Sequence, residues 1–175
     1  YVKWNIKVLT PSVLFKRAFL FKKELFLTKI KRGQETELFS RLFFQVKSSQ
    51  YMIIEEYVFL YRQHEMTKTV KNKSYINEYV ESQTYIAVEN FKKSFKINDL
   101  ELINHYYLLL LNIFFKGLEN KHFSNSRLIL VELLNILKSK NIKLVMELFI
   151  LGHLLLILKK RSYSIEKKLK RFKIQ

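Results

Sequence analysis

Between Asn98 and Leu158 three strongly apolar segments follow one another with little but capping residues and short polar breaks between them. Asn98-Asp99 is placed to cap LELINHYYLLLLNIFFKG, which stops at Gly117. Ser124-Asn125-Ser126 caps RLILVELLNILKSK, and IKLVMELFILGHLLLIL fills residues 142–158. The polar stripes are narrow: His105, Asn112 and Lys116 on the first helix, Glu132, Asn135 and Lys138 on the second. Helices apolar around most of their circumference must be covered on most sides. The segment therefore predicts a compact bundle, or a bundle clamped inside something larger.

Upstream the punctuation is weaker. Pro11-Ser12 opens SVLFKRAFLFKKELFLTKIKR, where Leu14, Ala18, Phe21 and Leu25 recur at three and four, predicting a helix that ends at Gly33. A second helix is expected over 35–49, with Glu35 and Glu37 favourable at its start. Residues 51–65 combine strand-like aromatic and β-branched content with helix-like length and stay open between the two. Residues 67–74 read as a loop, and 74–95 as a helix with Tyr75, Tyr79, Ile86 and Phe91 near one side. No repeat and no Pro/Gly-rich linker divides the chain. The expected fold is all-α, a compact helical bundle with basic ends: a basic, aromatic helical extension over 1–97 and an apolar core with a basic C-terminal tail over 98–175. The chain opens on Tyr1, and residues 1–32, with two arginines and interleaved phenylalanines, read as retained structure rather than a cleaved presequence.

Charge sets the expected partner. The formal net charge is +17 over 175 residues, a self-repulsion that calls for a polyanion nearby. Residues 1–32 contribute +8 and residues 159–175 contribute +7, leaving +2 for everything between. The N-terminal candidates for phosphate contact are Lys16, Arg17, Lys22, Lys23, Lys29, Lys31 and Arg32. Those at the C-terminal end are Lys159, Lys160, Arg161, Lys167, Lys168, Lys170, Arg171 and Lys173. There Ile165, Leu169 and Phe172 recur at four and three, so one face can be pinned to protein while the other meets phosphates. Tyr163 and Phe172 add rings able to stack on unpaired bases. Lysines outnumber arginines 25 to 7, which suits phosphate contact more than bidentate base reading.

Catalytic chemistry has little to work with. There is no cysteine, Asp99 is the only aspartate, and no two of His64, His105, His122 and His153 stand four apart. Glu55 and Glu56 are adjacent and would point about 100° apart on a helix. Three glycines make no phosphate-cradling loop. A non-enzyme without metal, cofactor or small-molecule substrate is expected. A membrane span is not expected over 142–158, because the segment is short and carries Lys143, Glu147 and His153. A peripheral membrane role for the amphipathic first helix stays open.

Ala, Gly and Pro together number six while Phe and Tyr number 25. That usage reads as an AT-rich coding genome, an organelle's or an AT-rich nuclear one. Organelle genomes mostly retain respiratory membrane subunits and ribosomal proteins.

LLLLNIFFKGLENKHFSNSRLILVELLNILKSKN resembles the start of the small-subunit ribosomal protein seven family, with Gly117, Lys121, Ser124 and the run Leu128 to Leu137 in the expected order. IKLVMELFILGHLLLILKKRSYS resembles that family's third helix running into a basic strand, with Val145, Glu147, Leu156, Leu158, Lys159 and Arg161 at similar positions. The chain departs from the pattern in a longer loop after Gly117, and Ser164-Ile165 stand where the family has a glycine pair. The resemblance implies ribosomal RNA binding, with Lys116 and Lys121 joining Lys159, Lys160 and Arg161 as contacts. It also implies a short β-hairpin near the C-terminus. The function expected is a structural constituent of the mitochondrial ribosome small subunit, in the matrix, touching ribosomal RNA and neighbouring ribosomal proteins. The alternative is an accessory subunit of an organellar respiratory-chain or ATP synthase membrane complex.

Overall fold

Asp99 opens a helix as predicted: its carboxylate accepts from the Leu102 N–H at 3.0 Å. Asn141 does the same for Leu144 at 3.0 Å, so two of the apolar helices begin on side-chain caps. The computed structural model describes residues 10–54, 56 and 74–174. Among them the α-helices are α1 (Arg17–Leu20), α2 (Gln34–Phe43), α3 (Asn77–Lys96), α4 (Leu100–Glu119), α5 (Phe123–Leu137), α6 (Ile142–Leu158) and α7 (Tyr163–Lys170), with single 3-10 turns at Thr10–Ser12 and Ser48–Gln50. The chain forms two compact units, Tyr1–Ile76 and Asn77–Gln175. The division read from sequence at 97/98 falls between α3 and α4, which pack together within the second unit.

In the second unit, consecutive helices run antiparallel and pack as neighbours, α3 on α4, α4 on α5, α5 on α6, with α3 also on α5. The last helix, α7, folds back onto α4 and α6. The apolar face of helix α4 is thereby covered, and Tyr107, Leu110, Leu111 and Phe115 are all but fully buried. Polar side chains inside the unit are paired across helices. Asn90 donates to the Tyr106 hydroxyl at 3.1 Å, and Asn125 to Thr84 Oγ1 at 2.9 Å. The Tyr107 hydroxyl donates to the Leu169 carbonyl at 2.9 Å. Burial, and after it the Glu147 charge, push the pKa of that hydroxyl up, so it remains a donor.

Several local expectations are overturned. Gly117 does not stop α4, which runs on to Glu119. It instead lets α5 approach, since a Cβ there would lie 2.3 Å from Ser126 Oγ. Helix α5 begins at Phe123, before the expected serine cap. Asn125 and Ser126 turn inward, where tertiary partners outbid a capping role, Ser126 donating to the Phe114 carbonyl at 3.0 Å. The residues expected to enter a β-hairpin form α7, and no strand occurs among the described residues. The four-and-three spacing of Ile165, Leu169 and Phe172 is a helical period, and it buries Leu169 completely.

The first unit departs furthest. The helix expected from Ser12 to Arg32 is reduced to the four residues of α1, and the stripe that was to be its buried face is exposed, Leu14 by 94%. Val13, Phe15, Phe19 and Leu20 pack instead against Leu38, Phe39 and Leu42 of α2. Phe15 lies 6.0 Å from Phe19 and 6.1 Å from Phe39, ring centre to ring centre. Arg41 holds the chain after α1 by donating to the carbonyls of Glu24 and Leu25, while Glu37 orients its guanidinium. Aromatic packing and a chelating arginine thus outweigh helical periodicity. Gly33, expected as a stop, takes φ 78° and leads into α2, the one glycine whose backbone needs the left-handed region. Tyr51–Ile54 are exposed and non-helical, and the rest of 51–65 except Glu56, with all but Ser74 of the loop expected over 67–74, lies outside the described residues.

Gly117→Ala should destabilise the second unit by about 1–3 kcal/mol, measured by urea unfolding, because the new methyl displaces the Ser126 hydroxyl from the Phe114 carbonyl. Adding Ser126→Ala should recover part of that loss. Simple addition of the two single effects would show that the contact is not what limits helix approach.

Candidate nucleic-acid interface

The antiparallel order brings the C-terminal ends of α4 and α6 to the same end of the second unit as the N-terminal ends of α5 and α7. Lys116, Lys121, Lys159, Lys160 and Arg161 therefore gather at one end. The joint is Arg161, whose guanidinium donates to Glu119 on α4 at 2.6 Å and to Glu166 on α7 at 2.8 Å. Beside it the Lys159 ammonium sits 5.8 Å from the centre of the Phe123 ring. Arg127, at the fifth position of α5, is exposed near this end as well. Its place there could be read only once the helices were paired.

The C-terminal cations are not equivalent. Glu166 is buried and takes two of them: Arg161, and Lys170, which donates to it at 2.5 Å. The Lys168 ammonium stands 3.1 Å from Glu147 on α6. Lys160, Lys167, Arg171 and Lys173 are exposed and make no ion pair among the described residues. Helix geometry explains the division. Lys168 and Lys170 flank the buried Leu169 and reach Glu147 of α6 and Glu166 of α7 itself, whereas Tyr163, Lys167 and Arg171 follow one another at i, i+4 and i+8 on the outer face. The segment is also tied down at its far end. Asn104 accepts from the Ile174 N–H at 2.8 Å and donates to the Ile174 carbonyl at 2.9 Å. The basic tail is thus a docked element with an inner and an outer face. Glu119, Glu147 and Glu166 as counterions to these cations were missed in the sequence. Only Glu166–Lys170 had a readable i, i+4 signal.

Two of the gathered lysines hold the backbone in the left-handed region, Lys121 at φ 59° and Lys159 at φ 50°. Both stand where helices usually end on glycine. Keeping lysine there costs about 1 kcal/mol of backbone strain.

In the first unit the candidates are more dispersed. Lys16 and Arg17 are exposed at the start of α1 and make no ion pair among the described residues. Lys22 lies 5.5 Å from the centre of the Phe21 ring, and Lys23 4.9 Å from that of Phe19 while also donating to Gln45 at 3.2 Å. Lys29 and Lys31 are exposed and Arg32 half-buried, and all three have contacts of their own.

Other chemistry is sparse. No group of three His, Asp or Glu side chains among the described residues is placed to hold a metal ion. His122 is buried and its Nε2 lies 3.0 Å from Glu81 on α3, a tie between helices. No helix among the described residues is long and apolar enough to cross a membrane. Helix α6 nevertheless leaves Ile142, Met146, Phe149, Ile150 and Ile157 exposed, Ile157 by 76%. Between it and α5 runs an open groove of about 550 Å³ lined by Leu134, Asn135, Lys138, Val145, Met146, Phe149 and Ile150.

Two outcomes test this arrangement. Burial raises the Glu166 carboxyl, but hydrogen bonds and charge from Arg161 and Lys170 outweigh it and hold the group below its ordinary value of 4.5. A carboxyl depressed by folding contributes stability that is full above the unfolded value and lost as pH falls through the folded one. Glu166→Gln should therefore cost about 2 kcal/mol in urea unfolding at neutral pH. The gap from the unsubstituted protein should close as pH drops from 4.5 downward. A pH-independent gap would mean that the ion pairs are not its source. At the α6 terminus, Lys159→Gly should be more stable than Lys159→Ala by about 1 kcal/mol, since both lose the cation but only glycine relieves the backbone. Equal stability of the two would show that no strain is held there.

No protein-family model, curated protein or solved structure matches the chain.

Proposed function

We propose that the chain is a structural, RNA-binding constituent of the small subunit of the mitochondrial ribosome, located in the matrix and acting without catalysis or cofactor. One observation carries the reading. After the carboxylates of Glu119, Glu147 and Glu166 have taken Arg161, Lys168 and Lys170, the outer face of α7 and the residues flanking the helix still present Lys160, Lys167, Arg171 and Lys173 to solvent. A cationic surface that the fold could neutralise and does not is suited to phosphate. The clustering of Lys116, Lys121, Lys159 and Lys160 at the same end adds to it, as does the likeness of residues 108–163 to the ribosomal protein seven family. The hairpin that likeness implied is replaced by α7. The RNA-binding reading therefore rests on the cations themselves.

A second reading has its own support. Helix α6 leaves Ile142, Met146, Phe149, Ile150 and Ile157 exposed, and neighbouring exposed apolar side chains of this kind mark interaction surfaces. In a ribosome it packs against a neighbouring protein; in an accessory subunit of a respiratory-chain or ATP synthase complex it packs against membrane subunits. Carbonate extraction of organelles separates the two, since a ribosomal constituent is released and a subunit packed among integral partners is retained.

Binding to ribosomal RNA should be strongly salt-dependent. Contact with about six phosphates gives a slope near −4 for the logarithm of affinity against the logarithm of salt on single strands. A slope near zero with the purified chain would overturn the proposal.

A further inference from the structure

The outer face of α7 carries one side chain that phosphate contact does not explain. Tyr163, at the first position of the helix, is 75% exposed, and its ring has no aromatic or hydrogen-bond partner among the described residues. Phe172, the other ring of the basic segment, is half-buried against the bundle and unavailable. Tyr163, Lys167 and Arg171 follow one another at about 6 Å steps along the helix, roughly the reach of one unstacked nucleotide. Lys160 precedes them in the turn before the helix, and Ser164 stands exposed beside the ring. Among the described residues no exposed carboxylate of α7 interrupts this line, because Glu166 is buried.

Resting on the RNA-binding reading above, we infer that this line is a site for single-stranded RNA, in which Tyr163 stacks on an unpaired base while Lys160, Lys167 and Arg171 track the adjoining phosphates. A paired duplex offers those cations its phosphates but offers the ring no base face. An unpaired strand satisfies both, and stacking on an aromatic ring tolerates any base. The ligand class is therefore an unpaired loop or linker with little sequence preference at the stacked position.

The test is fluorescence anisotropy of the full chain with an oligouridylate of about a dozen nucleotides and with an RNA duplex of the same length, at moderate salt. Tyr163→Ala should weaken the single strand about tenfold, leave the duplex within about twofold, and leave the salt slope unchanged. Tyr163→Phe should restore single-strand affinity. Arg171→Gln should weaken both ligands and lower the slope by about one. The exposure of Tyr163 means that these variants keep the fold, and an unchanged urea midpoint checks it. If Tyr163→Ala weakens both ligands equally or neither, while the unsubstituted chain binds RNA with a steep salt slope, the stacking site is overturned and RNA binding stands. If the unsubstituted chain binds neither ligand, both are overturned.

Discussion

A helix that carries Tyr106, Tyr107, Leu110, Leu111, Phe114 and Phe115 within ten residues has an apolar face about half its circumference wide that it cannot leave to water, with Leu108, Asn112 and Lys116 on the opposite, exposed side. Covering α4 is the constraint on which the second unit depends. Helices α3 and α5 close two sides. The rest of that face is closed by a segment that composition alone would assign to solvent, the lysine-rich residues 163–174. The Tyr107 hydroxyl needs an acceptor once buried, and the Leu169 carbonyl supplies it. Asn104 then takes both backbone groups of Ile174. Unsatisfied, each of these groups would cost about 1–3 kcal/mol in the interior. The cationic segment is therefore held by apolar burial and hydrogen bonding despite its charge.

Docking imposes a rule on the charges. A lysine or arginine carried toward the bundle must find a carboxylate, and Arg161, Lys168 and Lys170 find Glu119, Glu147 and Glu166. Those on the other side need none. The outcome is a segment in which Arg161 and Lys168 tie α7 to α4 and α6, Lys170 pairs within α7, and the outer cations repel one another. Net charge thus resolves into two populations with opposite effects on stability. Salt acts differently on each, screening the repulsion between exposed lysines more than the partly buried pairs around Glu166.

Much of the second unit was legible because local and tertiary demands agree there. Helix α6 covers residues 142–158 as its apolar run predicts, and the cap at Asp99 sits where the sequence places it. Legibility failed where a tertiary partner competed with a local signal. Gly117 looks like a helix stop, yet its lack of a side chain serves the approach of Ser126. Ser126 and Asn125 look like caps, yet buried acceptors on α4 and α3 claim them. In the first unit, Leu14, Ala18, Phe21 and Leu25 have helical spacing but are left outside, because Phe15 and Phe19 gain more from stacking on α2 and Arg41 claims the carbonyls of Glu24 and Leu25. The candidate cations could be listed from the sequence. Their division into paired and outward groups could not, because Arg161 and Glu119 are 42 residues apart.

The apolar and cationic surfaces of the second unit are hard to reconcile with a chain built to stand alone. One face of α6 is packed through Leu144, Leu148, Gly152 and Leu155, and the other leaves Met146, Phe149, Ile150 and Ile157 in water. Association between two copies through that face would set lysines against lysines. The exposed run is bounded by Lys138 and Lys143 at one end and by Lys159 and Lys160 at the other, and an antiparallel pairing brings these ends together. Repulsion of that kind disfavours self-association. A larger assembly relieves both surfaces at once, with apolar cover from a neighbour and phosphate for the outer cations. The ribonucleoprotein setting proposed above would meet that double requirement.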